Sequence, residues 1–195
     1  MKYENAIKLQ RAIASKVIAH DNFDEIKRVC GVDVAYDGCT AYCSAVVMDK
    51  DKVIVESVEC KTKVSYPYVP GLLMLREAEP IFQTVKLLKG YDLLLIDGHG
   101  LLHPRKCGLA CYVGVTLDKP TIGVAKSRLC GTVRPDRYMQ MGNEILGYTI
   151  GRLYVSVGHR MSLKTAIILV KELGTEPLRL ADSNSKAQKR RVKEV

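Results

Sequence analysis

Four acids on separate stretches of a basic chain, Asp33, Glu77, Asp97 and Asp182, are the residues best placed to do chemistry. Asp33 interrupts the apolar run Val29-Cys30-Gly31-Val32-Asp33-Val34-Ala35-Tyr36, and Asp97 closes Leu93-Leu94-Leu95-Ile96. A carboxylate set into an apolar strand is costly unless a cation or a hydrogen-bonding partner compensates it. Four acids can hold two divalent ions, or one ion and a base. A cation such as Mg²⁺ held by carboxylate oxygens can polarise a phosphodiester, activate water and neutralise the charge growing on a leaving 3′-oxygen. Taken singly, Asp33 also reads as a residue capping a bend, and Asp97 as the opening of the Gly98-His99-Gly100 turn.

Two basic groups accompany the acids. His103 lies in Gly98-His99-Gly100-Leu101-Leu102-His103-Pro104-Arg105-Lys106, directly after Asp97, where an imidazole could bind phosphate or pass a proton. The alternative is a surface loop with incidental basic residues. Lys126 follows the apolar run Thr121 to Ala125, at the strand end where ligands of such sheets gather.

The elements that must carry these residues can be read from periodicity and turn chemistry. Residues 3–19 suit an amphipathic helix. Residues 29–36 and 40–48 read as strands joined by the hairpin signal Asp37-Gly38, with a third strand over 53–61. Residues 72–88 are helical in composition, and Pro80 predicts a break into two short helices. Residues 92–97 form a buried strand, 109–115 a helix, 121–125 another buried strand, 145–150 and 153–157 a hairpin around Gly151, and 162–173 a helix with Ser162 as its N-cap. Three antiparallel strands followed by alternating strands and helices imply an α/β RNase H-like mixed sheet flanked by helices, in which the strands of Asp33 and Asp97 are neighbours.

The totals fit one domain. The chain has 195 residues, nearly half of them hydrophobic, enough for a substantial core. Its net charge of +9 favours a polyanionic partner such as nucleic acid. With no membrane-spanning run and no signal-peptide core at the start, a cytoplasmic protein with no membrane association is expected. Seven cysteines, an odd number without zinc-type knuckles, are expected to be reduced thiols. Residues 183–195 are polar and basic and read as a mobile tail following a single domain over 1–182.

Several segments in order resemble the endonuclease V family of deaminated-base repair nucleases: Gly31 to Tyr36, Pro67-Tyr68-Val69-Pro70-Gly71-Leu72-Leu73 with Arg76-Glu77, Asp97 to Gly100 through His103-Pro104-Arg105, Ile122 to Leu129, and Val155 to Arg160. The resemblance implies that Asp33, Glu77, Asp97 and Asp182 are the metal-binding acids, the last being Asp or His in family members. Lys126 and His103 then match basic catalytic residues near the scissile phosphate. It also implies that Pro67, Tyr68 and Pro70 belong to a wedge that enters the duplex, that Gly71, Gly98 and Leu129 surround an extruded hypoxanthine, and that Leu73 also contacts the substrate. Val157 departs from the proline often found in relatives. The implied activity is Mg²⁺-dependent hydrolysis, with Mn²⁺ able to substitute, of the second phosphodiester 3′ to a deoxyinosine, leaving 3′-hydroxyl and 5′-phosphate. The expected partner is inosine-containing nucleic acid, DNA ahead of RNA, met by a monomer. The alternatives are an inosine-specific ribonuclease or other RNase H-like nuclease, and a non-catalytic nucleic-acid-binding module.

Overall fold

A computed structural model of the chain describes residues 3–191. Nine strands form one mixed sheet in the order β3-β2-β1-β4-β5-β9-β8-β7-β6. The strands are β1 (Arg28–Asp37), β2 (Thr40–Asp49), β3 (Ile54–Lys63), β4 (Leu93–Ile96), β5 (Thr121–Ala125), β6 (Thr132–Val133), β7 (Tyr138–Met141), β8 (Glu144–Ile150) and β9 (Leu153–His159). The helices are α1 (Glu4–Ala14), α2 (Met74–Val85), α3 (Leu109–Leu117), α4 (Leu163–Leu173) and α5 (Glu176–Arg191). The expected antiparallel β1–β2–β3 opening and the alternation that follows are both present, and the RNase H-like mixed sheet flanked by helices is the fold observed.

The centre of the sheet is apolar on both faces, because β4 and β5 are each buried along their whole length. Successive side chains of a strand point to opposite faces. Cys30, Val32, Leu94 and Ile96 pack with Ala78, Ile81, Ala110 and Val113 of α2 and α3. Val29, Leu93, Leu95, Ile122 and Val124 pack on the other face with Ala166, Val170 and Leu178 of α4 and α5. By the same alternation Asp33, Asp97 and Lys126 continue the face that α5 covers. β1 and β4 run parallel with Val32 beside Ile96, so the next residue of each strand, Asp33 and Asp97, meets the other where β4 ends. β4 pairs in parallel with β5, which brings Lys126 to the same edge.

Two expectations are corrected. Pro80 does not split the second helical region: α2 is continuous through it. Proline removes the hydrogen bond to the carbonyl four residues earlier, and here that carbonyl, of Arg76, lies 3.3 Å from the Tyr36 hydroxyl, which donates to it. The expected tail from 183 is instead helical as far as Arg191, with Pro177, Leu178, Ala181 and Ser185 buried against β1 and β2; residues 192–195 lie outside the described residues. Gly31 permits this docking. A Cβ there would fall 2.2 Å from the Leu178 backbone nitrogen and 2.3 Å from the Pro177 carbonyl carbon, so any side chain would push α5 off the sheet.

Ser162 caps α4 as expected, its hydroxyl accepting from the Thr165 N–H. All seven cysteines are free. Among the described residues no helix is long and apolar enough to cross a membrane.

Candidate active site

The parallel strands and α5 bring Asp33, Asp97 and Asp182 together, with one carboxylate oxygen of each within 4.8 Å of the others. Lys126 Nζ donates to Asp97 Oδ2 at 2.6 Å and to Asp182 Oδ1 at 3.1 Å, and Lys186 Nζ donates to Asp182 Oδ2 at 2.6 Å. Burial lowers the proton affinity of the Lys126 amine, but its bonds to Asp97 and Asp182 outweigh that and leave it above the ordinary lysine range. Asp182 is pulled the other way: partial burial favours its neutral form, yet Lys186 and Lys126 hold it below the usual carboxylate range.

Of the three clustered acids Asp33 is the most enclosed. Burial first, and then the charges of Asp97 and Asp182, push it up to about 6 against a hydrogen bond from Ser185 that favours ionisation. Glu77, in the first turn of α2, stands outside the trio but faces it. Burial, then the charges of Asp33 and Asp97, push Glu77 up to about 8. Packed acids with raised proton affinity lack positive charge, and an all-oxygen carboxylate set suits a hard divalent cation such as Mg²⁺ or Mn²⁺.

Beside Asp97 opens a pocket of about 300 Å³. Tyr68, Gly71, Leu73, Gly98 and Leu129 line it, together with Asp97, His103 and Lys126. Five of the seven residues expected to bind the substrate thus share one cavity with the acid at the strand end. Pro67 and Pro70 do not line it; they flank Tyr68 on an exposed loop, and Tyr68 is 66 % exposed at the pocket.

That loop is tied at both ends. At its start Arg76 donates from Nη1 to the Tyr66 carbonyl at 2.6 Å and from Nη2 to the Gly38 carbonyl at 3.1 Å, with its guanidinium 4.1 Å from the Tyr36 ring centre. At its end Gly71 turns with φ +75°, and its carbonyl accepts from Gln10 Nε2 at 3.0 Å, His103 Nε2 at 3.1 Å and Arg105 Nη2 at 2.6 Å.

His103 is therefore placed differently from a free phosphate ligand. Its Nδ1 accepts from the Arg105 N–H at 3.2 Å, which leaves Nε2 as the protonated nitrogen facing Gly71. Burial, then the Arg105 charge, lower it to about 4, so it is a neutral ring fixing the loop. Its neighbour His99 joins the loop after β4 to the loop after β5 through the Ser127 carbonyl, at 2.9 Å from Nε2.

Sequence reasoning missed Gln10 and Ser185. Gln10 is 1 % exposed, donates to the Gly71 and Cys107 carbonyls and accepts from Arg105 Nε. A lone polar residue on an amphipathic helix reads as solvated, and nothing local signals that its amide is buried. Ser185 lay in the segment read as tail; the apolar spacing of Leu178 and Ala181 was the available signal that a helix continues.

A mixed sheet whose parallel strands end in clustered carboxylates, with fixed cations and a pocket alongside, defines a nuclease of the RNase H-like fold. The endonuclease V family model matches residues 11–183. Endonuclease V of Sulfurisphaera tokodaii is 42 % identical over 189 residues, covering 95 % of each chain. Among solved structures, endonuclease V of Streptomyces avermitilis superposes with a TM-score of 0.87 at 31 % identity, covering 97 % of this chain and 94 % of its own. Endonuclease V of Ciona intestinalis, in complex with a 24mer DNA containing an inosine followed by a ribo-adenosine, gives a TM-score of 0.86 at 28 % identity, covering 98 % and 99 %. The chain belongs to the endonuclease V family and is a nucleic-acid endonuclease.

Proposed function

We propose that this endonuclease, acting as a monomer, recognises deaminated bases, chiefly the hypoxanthine of deoxyinosine in DNA, and hydrolyses the second phosphodiester 3′ to the lesion, leaving 3′-hydroxyl and 5′-phosphate. The observation that carries the reading is that Asp97 and Lys126 line the same cavity as Tyr68, Gly71, Leu73, Gly98 and Leu129. Base recognition and phosphate chemistry therefore share a wall.

Tyr68 is the inserting group. Its loop is stiffened by Pro67 and Pro70 and tied down at Tyr66 and Gly71, so the exposed ring can stack where a base has left the duplex without the loop yielding. A weakly paired base costs less to extrude than a well-paired one, which favours the deaminated base before any contact is made. Gly98 and Gly71 leave the backbone open to the base edge, while Leu73 and Leu129 supply apolar contact.

Asp33, Asp97 and Asp182 would hold the metal, Mg²⁺ by preference, with Glu77 alongside. When bound, the ion polarises the phosphodiester, lowers the pKa of the attacking water and neutralises charge on the leaving 3′-oxygen. Lys126 contributes a second, fixed positive charge at the same place, available to a phosphate oxygen. His103 holds Gly71, and through it the wedge, in place.

The test compares cleavage of matched inosine-containing and unmodified substrates, each as single- and double-stranded DNA and RNA, with Mg²⁺. The RNA arm is included because the Ciona relative was solved on DNA carrying a ribo-adenosine after the inosine. The inosine-containing DNA is expected to be cut far faster than its unmodified match. Equal rates would remove the repair assignment, and faster cutting of inosine-containing RNA would move the substrate class.

A further inference from the structure

Ser185 lies three residues beyond Asp182 on α5 and is fully buried. Positions three apart share a helix face, so the turn that delivers Asp182 to the sheet edge delivers this hydroxyl too. Its Oγ stands 2.9 Å from Asp33 Oδ2 and 3.0 Å from the Asp182 carbonyl oxygen. A hydroxyl has one proton to give to these two acceptors. The Asp182 carbonyl lies within α5, where the backbone ladder already supplies a donor. Among the described residues, the Asp33 carboxylate has no hydrogen-bond donor other than Ser185. The proton therefore belongs to Asp33.

The consequence is orientational. Asp33 extends from a strand and would otherwise be free to rotate about its terminal torsion, which has no sharp staggered well. A donor fixed on a helix packed directly on Gly31 holds one oxygen and so sets the direction in which the carboxylate faces Asp97 and Asp182. We propose that Ser185 is a positioning residue of the metal centre, acting through Asp33 by pinning Oδ2.

This inference rests on Asp33 being a metal ligand, and the test separates the two. Mn²⁺ affinity is measured calorimetrically, without nucleic acid, for the wild-type chain, Ser185→Ala, Ser185→Cys, Asp33→Asn and the double variant Ser185→Ala/Asp33→Asn. Loss of a partner that orients a ligand weakens metal binding by about 10- to 100-fold. A weakening in that range is expected for Ser185→Ala and for Ser185→Cys, which keeps the volume but donates poorly, with metal-free melting temperatures close to wild type. Adding Ser185→Ala to Asp33→Asn should cost nothing further, because the group it acts through has already been changed.

Wild-type Mn²⁺ affinity in both Ser185 variants would overturn the proposal. So would an undiminished loss in the Asp33→Asn background, or collapse of the metal-free fold in both variants, which would make Ser185 a packing residue. If Asp33→Asn itself binds Mn²⁺ as the wild type does, the ligand assignment fails first and the positioning role falls with it.

Discussion

Replacing Gln10 with leucine keeps the volume of a buried residue on α1 and removes its polar end. Two donated bonds, to the carbonyls of Gly71 and Cys107, and one accepted from Arg105 Nε disappear together. Their losses are unequal. The Gly71 carbonyl keeps His103 and Arg105 as donors, so it stays satisfied. The Cys107 carbonyl loses the partner that Gln10 supplied, and a buried acceptor left bare costs about 1–3 kcal/mol. Arg105 is only partly buried and can turn to water, so it adds about 1 kcal/mol. The sum, about 2–4 kcal/mol, corresponds to a fall of roughly 4–16 °C in Tm for a domain of this size. The change should also loosen the end of the Tyr68 loop. Thermal denaturation, Mn²⁺ titration and cleavage of inosine-containing against unmodified duplex together read the effect. The expected pattern is a lowered Tm, reduced preference for inosine and unchanged metal affinity. An unchanged Tm with full inosine preference would refute the claim that α1 anchors the loop.

Two further predictions follow from the geometry. A Cβ on Gly98 would lie 3.4 Å from Leu109 Cβ and 3.8 Å from Leu73 Cδ2, in ordinary contact, so Gly98→Ala should fold normally. The added methyl narrows the pocket and should lower kcat/KM on inosine-containing DNA by about tenfold or more; full activity would show that the base goes elsewhere. In the metal-free chain Asp33 and Glu77 are raised from 3.8 and 4.5 to about 6 and about 8. The folded state thus keeps protons that the unfolded chain has released, and stability present below about pH 4 is lost as pH rises through 6 and then 8. Because the lowered His103 gains stability as pH rises to 6.5, the acids are read above it: metal-free Tm should fall between pH 6.5 and 8.5, while Mg²⁺ should raise Tm more at 8.5 than at 6.5; a metal-free Tm that climbs over this range contradicts the packing of these acids.

How far the sequence could be read follows from where each signal lies. β1, β4 and β5 are short apolar runs ended or interrupted by a charge, and the charge marked a candidate site because the apolar residues around it left no solvent to explain it. The hairpin at Asp37-Gly38 and the cap at Ser162 are written in neighbouring residues. Pro80 misled because the carbonyl it orphans is served by Tyr36, forty residues away in sequence, and no local pattern carries that contact. The last helix was hidden by composition: of its sixteen residues only Pro177, Leu178, Ala181 and Ser185 are buried, and the polar remainder reads as tail. Gln10 and Ser185 share this blind spot, each a polar residue whose burial is decided by what packs over it. β6 and β7 were missed as well, being two and four residues long around the turn at Asp136-Arg137.

His103 shows the limit from another side. Its place directly after Asp97 suggested phosphate or proton chemistry, and it does line the pocket, but both ring nitrogens are engaged in fastening Gly71 and the Arg105 amide. Proximity in sequence agrees with a shared cavity, which His103 and Asp97 both line, while the geometry gives the ring a holding part.

The central claim is that Asp97 is the carboxylate on which the chemistry turns. The most direct measurement is the Mg²⁺-dependent nicking rate of purified Asp97→Asn beside wild type on an inosine-containing duplex, with binding of the same duplex measured in parallel. Nicking that collapses while the duplex is still bound is the predicted result; nicking at the wild-type rate would contradict the proposed centre.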